Sequence, residues 1–201
     1  MEKTMTPEES LQIIQRSISH SRKNLKEGSF YYILWGWAMI LGSLSNYGVL
    51  RYYLQNESYE GLWWKSMITW LVFIGIAIVI QLVRVSRSAS RHVVKTHLDR
   101  YIITLWLSSG VLMSLMVFLS FKVDAYPVPF ILAVTALATF VSGMMVRFTP
   151  LIAGGIIFLI SAIIAIYLQG TEQLLVFAGA MVLGYLIPGY MLRTIKNGED
   201  V

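Results

Sequence analysis

Apolar residues gather along this chain into six long runs separated by short polar stretches, covering approximately 30–50, 63–83, 101–121, 128–146, 151–168 and 174–192. Each is close to the roughly 20 residues that a helix needs to cross a ~30 Å hydrocarbon core. In lipid a helix satisfies every backbone group within its own segment, which an isolated strand cannot do. The pattern therefore predicts an all-α, polytopic integral membrane bundle of six transmembrane helices in three hairpins. Aromatic residues fall where interfaces are expected: Tyr31, Tyr32, Trp35 and Trp37 open the first run, and Tyr52, Tyr53, Trp63 and Trp64 bracket its far end. The shortest break is "RFTP" at 147–150, where Thr149 and Pro150 predict a fresh helix start, with Thr149 as the cap.

A different periodicity precedes the first run. In "TPEE" at 6–9, Thr6 is placed to cap a helix, Pro7 to open it and Glu9 to complete a capping box. Leu11, Ile14, Ile18 and Leu25 then recur near one face, with Arg16, Arg22, Lys23 and Lys26 largely elsewhere. Glu27, Gly28 and Ser29 are expected to end it. The predicted organisation is a cytoplasmic amphipathic helix at 1–29, a six-helix domain at 30–192 with a basic loop at 84–100, and a tail at 193–201. No cleavable signal peptide is expected, because the first 29 residues hold four glutamates and lack a continuous apolar core.

Composition agrees with this class and charge orients it. Only 13% of the residues are charged, against about 25% in soluble domains, too few to cover a soluble surface. Thirteen of the sixteen Lys and Arg fall on the side of the N-terminus, which is net +6 while the other side is −1. The positive-inside rule then places both termini in the cytoplasm, with a bacterial inner (plasma) membrane as the expected site. Arg84, Arg87, Arg91, Lys95 and Arg100 supply five of these cations. The first four share a helical stripe, but interleaved aromatics are missing, so no nucleic-acid partner is expected and the loop is assigned to anionic headgroups and topology.

Apolar side chains gain little by leaving lipid for one another, so small residues that admit close backbone approach mark candidate seams. These are Ala38 and Gly42 in the first run, Gly110 and Ser114 in the third, Thr135, Thr139 and Gly143 in the fourth, and Ala180, Gly184 and Pro188 in the sixth. Helix packing is their first assignment and a cavity lining the second. "YLIPGY" at 185–190 predicts a bend in the last run. "LWGWAMILGSL" at 34–44 and "LWLSSGVLMSL" at 105–115 raise a parallel duplication of the first two hairpins without establishing it. Ser43, Ser45 and Asn46 in the first run, and Ser108, Ser109 and Ser114 in the third, are read as bonds between or within helices before a solute path.

Catalytic groups are sparse. No ionisable residue falls at mid-depth of any run, which argues against carboxylate-relay pumps and aspartyl intramembrane proteolysis. With no cysteine, thiolate catalysis and Cys-ligated metals are excluded. His92 and His97 stand five apart, unlike the four-residue pair that binds zinc, and His20 lies alone. No catalytic residue, cofactor or metal is assigned. The expected function is a non-enzymatic regulatory, sensory or accessory membrane component whose N-terminal helix and basic loop meet a partner or the inner leaflet. A small transporter or channel for a neutral or amphipathic solute is the alternative. Third stands a lipid-acting enzyme using His92, His97 and Asp99 or Lys65. Membrane lipids are the expected partners, with room for a homo-oligomer and for a cytoplasmic or membrane protein partner.

Overall fold

The structure, a computed structural model, describes residues 7–57, 60–89 and 97–194, with side chains described at 28–57, 60–87 and 100–194. Described elements are all helical: α1 (Pro7–Gln55), α2 (Leu62–Ala89), α3 (His97–Lys122), α4 (Val128–Val146), α5 (Thr149–Tyr167), α6 (Glu172–Met181) and α7 (Ile187–Thr194). A π-helical turn, Val182–Leu186, joins α6 to α7, so Glu172–Thr194 forms one sixth span. Among the described residues, six helices are long and apolar enough to cross a membrane. The fourth run keeps its expected limits. The others shift by a few residues, the first running on to Gln55 and the second starting at Leu62.

The expected stop at Glu27, Gly28 and Ser29 does not occur. α1 is one helix of 49 residues from Pro7 to Gln55. A lone glycine costs a helix only about 1 kcal/mol relative to alanine, too little to interrupt long flanking segments that hold no proline after Pro7. Gly28 has open space where a Cβ would sit, and Ser29 is buried.

Two tight turns are set by local chemistry. α4 ends with Arg147 in the left-handed region at φ 55°; the Phe148 N–H donates to the Gly143 carbonyl at 3.0 Å and the Arg147 N–H to the Met144 carbonyl at 3.2 Å. These paired bonds close the last turn as a Schellman motif. α5 then starts one residue earlier than expected, with extended Phe148 as its cap and Thr149 already helical. Phe148 fills that role because its carbonyl accepts from the Leu151 and Ile152 N–H groups. Gly143 makes the turn passable: a Cβ there would stand 2.7 Å from the Ile152 nitrogen.

Laterally the helices form a bent ribbon in the order α2, α1, sixth span, α5, α4, α3. α1, α4, α5 and the sixth span supply the core, which includes Ile40, Leu132, Ala136, Phe158, Phe177, Met181 and Tyr185. α2 lies chiefly on α1 and α3 chiefly on α4. A tryptophan from each still reaches the sixth span: Trp70 meets Phe177 edge-on at 5.8 Å, and Trp106 meets Tyr185 at 6.1 Å. The ribbon therefore curves around the sixth span, and most of α2 and α3 presents apolar side chains outward.

Candidate functional site

Buried polar groups concentrate where α1 and α4 face the sixth span. The first cluster surrounds Tyr185, on the π-helical turn. Pro188 has no N–H to offer the carbonyl four residues before it, and the Ile187 N–H reaches back five residues to the Val182 carbonyl. The turn directs Tyr185 inward, where it is 4% exposed. Its ring meets Phe158 at 4.9 Å and Tyr32 at 5.7 Å, both edge-on, in addition to Trp106. The Thr139 hydroxyl donates to the Tyr185 hydroxyl at 3.3 Å. Tyr32 interacts with Ser142 and with the Trp106 indole. Ser142 is fully buried, and its Oγ faces Tyr32 without meeting full hydrogen-bond geometry. Four spans and the π turn thus place three hydroxyl-bearing aromatic or Thr groups and one serine in a single apolar surround.

The second cluster lies toward the other end of the same seam. The Ser43 hydroxyl donates to the Leu174 carbonyl at 2.6 Å, fixing the register of α1 against α6. Asn46, one turn further along α1, and Gln173, the residue before Leu174, are each 2% exposed. The Gln173 amide N–H donates to the Leu168 carbonyl at 2.8 Å, closing the end of α5. Asn46 Oδ1 and Gln173 Oε1 have no hydrogen-bond partner among the described residues.

The small-residue candidates divide between these surfaces. Gly42 packs on α2, where a Cβ would lie 3.2 Å from the Trp70 ring. Thr135 and Thr139 are buried on α4, and the Thr135 hydroxyl bonds back to the Ile131 carbonyl. Ala180, Gly184, Pro188 and Gly143 are buried, whereas Ala38 is only partly so. Gly110 and Ser114 form no seam among the described residues: space beside Gly110 is open, and Ser114 is exposed with its hydroxyl on the Gly110 carbonyl. α3 turns that face outward, whereas Ser109 and Ser120 on the same helix are buried.

The basic stretch is only partly described. The Arg84 guanidinium lies over the Phe30 ring at 3.9 Å, tying α2 to the start of the first span instead of standing free for a headgroup. Beside it the Trp35 indole donates to Gln81 Oε1 at 2.9 Å. Arg87 and Arg100 are exposed, while Arg91 and Lys95 lie outside the described residues. His92 also lies outside them, and His97 and Asp99 open α3 with side chains undescribed. Among the described residues no group of three metal-ligating side chains is assembled. Sequence reasoning passed over Tyr32, Trp106, Gln173 and Tyr185. A glutamine beside Thr171 and Glu172 reads as an interfacial residue, and tyrosines in an apolar run read as belt residues, until the lateral order of the helices is known.

The fold and seam define a six-helix protein with membrane-spanning helix lengths and a partly unsatisfied polar interior. No protein-family model matches the chain, and neither a curated protein nor a solved structure is significantly similar to it.

Proposed function

We propose that the chain is a regulatory, sensory or accessory protein of a bacterial inner membrane, with both termini cytoplasmic. The observation that carries this is the continuity of α1. The helix runs roughly 20 residues ahead of the first membrane-length segment at Gly28, about 30 Å at 1.5 Å per residue. The same helix packs on α2 and on both halves of the sixth span. A contact made at its N-terminal end is thereby joined, without a hinge, to the polar seam. The uneven distribution of Lys and Arg supports the orientation. The test compares the full chain with one lacking residues 1–26, each isolated from its native membrane. A stoichiometric partner present on the first and lost from the second is expected. Equal partner profiles would sink the proposal.

A pathway for a neutral solute is favoured by one separate observation. All three unpartnered buried side-chain atoms among the described residues, on Asn46, Ser142 and Gln173, lie along the seam of α1, α4 and the sixth span. Apolar Ile40, Leu132 and Phe177 belong to the core of the same helices, as a closed constriction would require. Flux of a neutral solute into proteoliposomes, abolished by blocking this seam, would favour this function over the regulatory one.

A further inference from the structure

The sixth span has one weak joint. Pro188 brings no N–H to the Gly184 carbonyl, the bond a regular α-helix would make there, and the Ile187 N–H reaches back to Val182 in the π turn. Gly184 and Gly189 stand on either side of Pro188, and glycine and proline hold helical backbone least firmly. Sharp bends in helices fall at prolines and π turns. Backbone bonds alone therefore fix the angle between α6 and α7 weakly.

The neighbouring helix supplies what the backbone lacks. Of the helices packed on the sixth span, α1 is the chief neighbour of both α6 and α7. On one side of the joint, the Ser43 hydroxyl donates to the Leu174 carbonyl in α6 at 2.6 Å. On the other, the Trp37 indole N–H donates to the Tyr190 hydroxyl in α7 at 3.1 Å. Around the joint itself the two helices approach closely: a Cβ on Gly36 would stand 2.8 Å from the Leu186 side chain, and one on Gly189 3.0 Å from that of Ile33. α5 also touches the joint, with Gly154 and Phe158 against Gly184, but packs on α7 less than α1 does. α1 is a single α-helix throughout this region.

We propose that residues 182–189 form a hinge and that α1 is the splint that sets its angle, so that a shift of α1 swings α7 against the rest of the bundle. This names the moving part of the regulatory function and rests on that function only for the contact that shifts α1. Thr194 lies ten residues beyond Gly184, about 15 Å of helix, so a change in bend of about 20° moves it by about 5 Å.

The experiment reads that movement on the full chain in phospholipid nanodiscs. Thr149, at the start of α5, and Thr194, at the end of α7, are both exposed. Because the chain has no cysteine, Thr149→Cys and Thr194→Cys each take one spin label, and pulsed electron resonance gives the distance between them. Four backgrounds are compared: the otherwise unchanged chain, Ser114→Ala as a control, Ile33→Ala with Trp37→Phe to loosen α1 from α7, and that pair with Pro188→Ala to return an N–H to the joint.

One narrow distance is expected for the unchanged chain and the control. The loosened pair should broaden or displace it by about 5 Å, and Pro188→Ala should narrow it again. A broad distribution in the unchanged chain, or an unaltered one in the loosened pair, would show that α1 does not set the angle. Broadening that persists with Pro188→Ala would place the motion outside the hinge; any of these results ends the proposal. Trp37→Phe alone keeps the comparison should the pair fail to fold. No partner is present in these measurements, so their outcome is separate from that of removing residues 1–26.

Discussion

Phe158 occupies the space where Gly184 would carry a side chain: a Cβ on Gly184 would stand 2.5 Å from the Phe158 ring. One turn before Phe158, Gly154 meets the Gly184 carbonyl, with its own virtual Cβ 2.6 Å from that oxygen. The α5 contact with the sixth span is therefore a backbone-to-backbone approach, cut to fit by two glycines and one ring.

A glycine series should follow these distances. Gly154→Ala pushes against backbone and is expected to destabilise by about 3 kcal/mol, and Gly184→Ala, opposed by a ring, by about 1–3 kcal/mol. Gly42→Ala, at 3.2 Å from Trp70, should cost less than either. Gly28→Ala and Gly110→Ala meet open space and should be neutral or stabilising by up to about 1 kcal/mol. Thermal unfolding in detergent ranks all five; a Gly154 variant as stable as the Gly110 variant would contradict the packing.

Tyr185 separates ring from hydroxyl. Tyr185→Phe removes only the long bond from Thr139 and should cost about 1 kcal/mol. Tyr185→Ala withdraws the ring that Tyr32, Trp106 and Phe158 all touch, with an expected loss of about 3–5 kcal/mol. Similar losses in the two variants would show that the hydroxyl, not the ring, organises this cluster.

Arg84 and Phe30 should be energetically coupled. A double-mutant cycle with Arg84→Gln and Phe30→Leu is expected to return about 0.5–2 kcal/mol, the range for a cation above an aromatic face. A coupling of zero would return Arg84 to the role of a free interfacial charge.

Orientation can be read directly, because the chain has no cysteine and each one introduced is unique. Asn56→Cys and Asp124→Cys should react with an impermeant maleimide in intact cells. Arg147→Cys should react only after permeabilisation. The reverse pattern would invert the proposed topology.

Much of this fold was legible in the sequence for a simple reason: helix length and loop brevity follow from runs of apolar residues. The lateral order was not. A Leu- and Ile-rich helix such as α2 looks alike on the face that meets α1 and on the faces left outward, so pattern alone could not show that α2 and α3 stand at opposite ends of a ribbon. Close approach was readable at Gly42, Gly143 and Gly184 but gave the wrong impression at Gly110, since small residues permit packing without supplying a partner. The bend announced by Pro188 became a π-helical turn several residues earlier. Asn46 stood out as polar within a run, but the register of its helix against α6 is marked by one hydroxyl, Ser43, bonded to a carbonyl 131 positions away.

The unbroken length of α1 gives the protein a lever. With its C-terminal arm packed between α2 and the sixth span, the roughly 30 Å of helix ahead of Gly28 would convert a tilt of about ten degrees into a sweep of about 5 Å at its tip. A displacement small enough to leave the bundle packed would thereby be magnified to the size of a side chain at the far end of the helix.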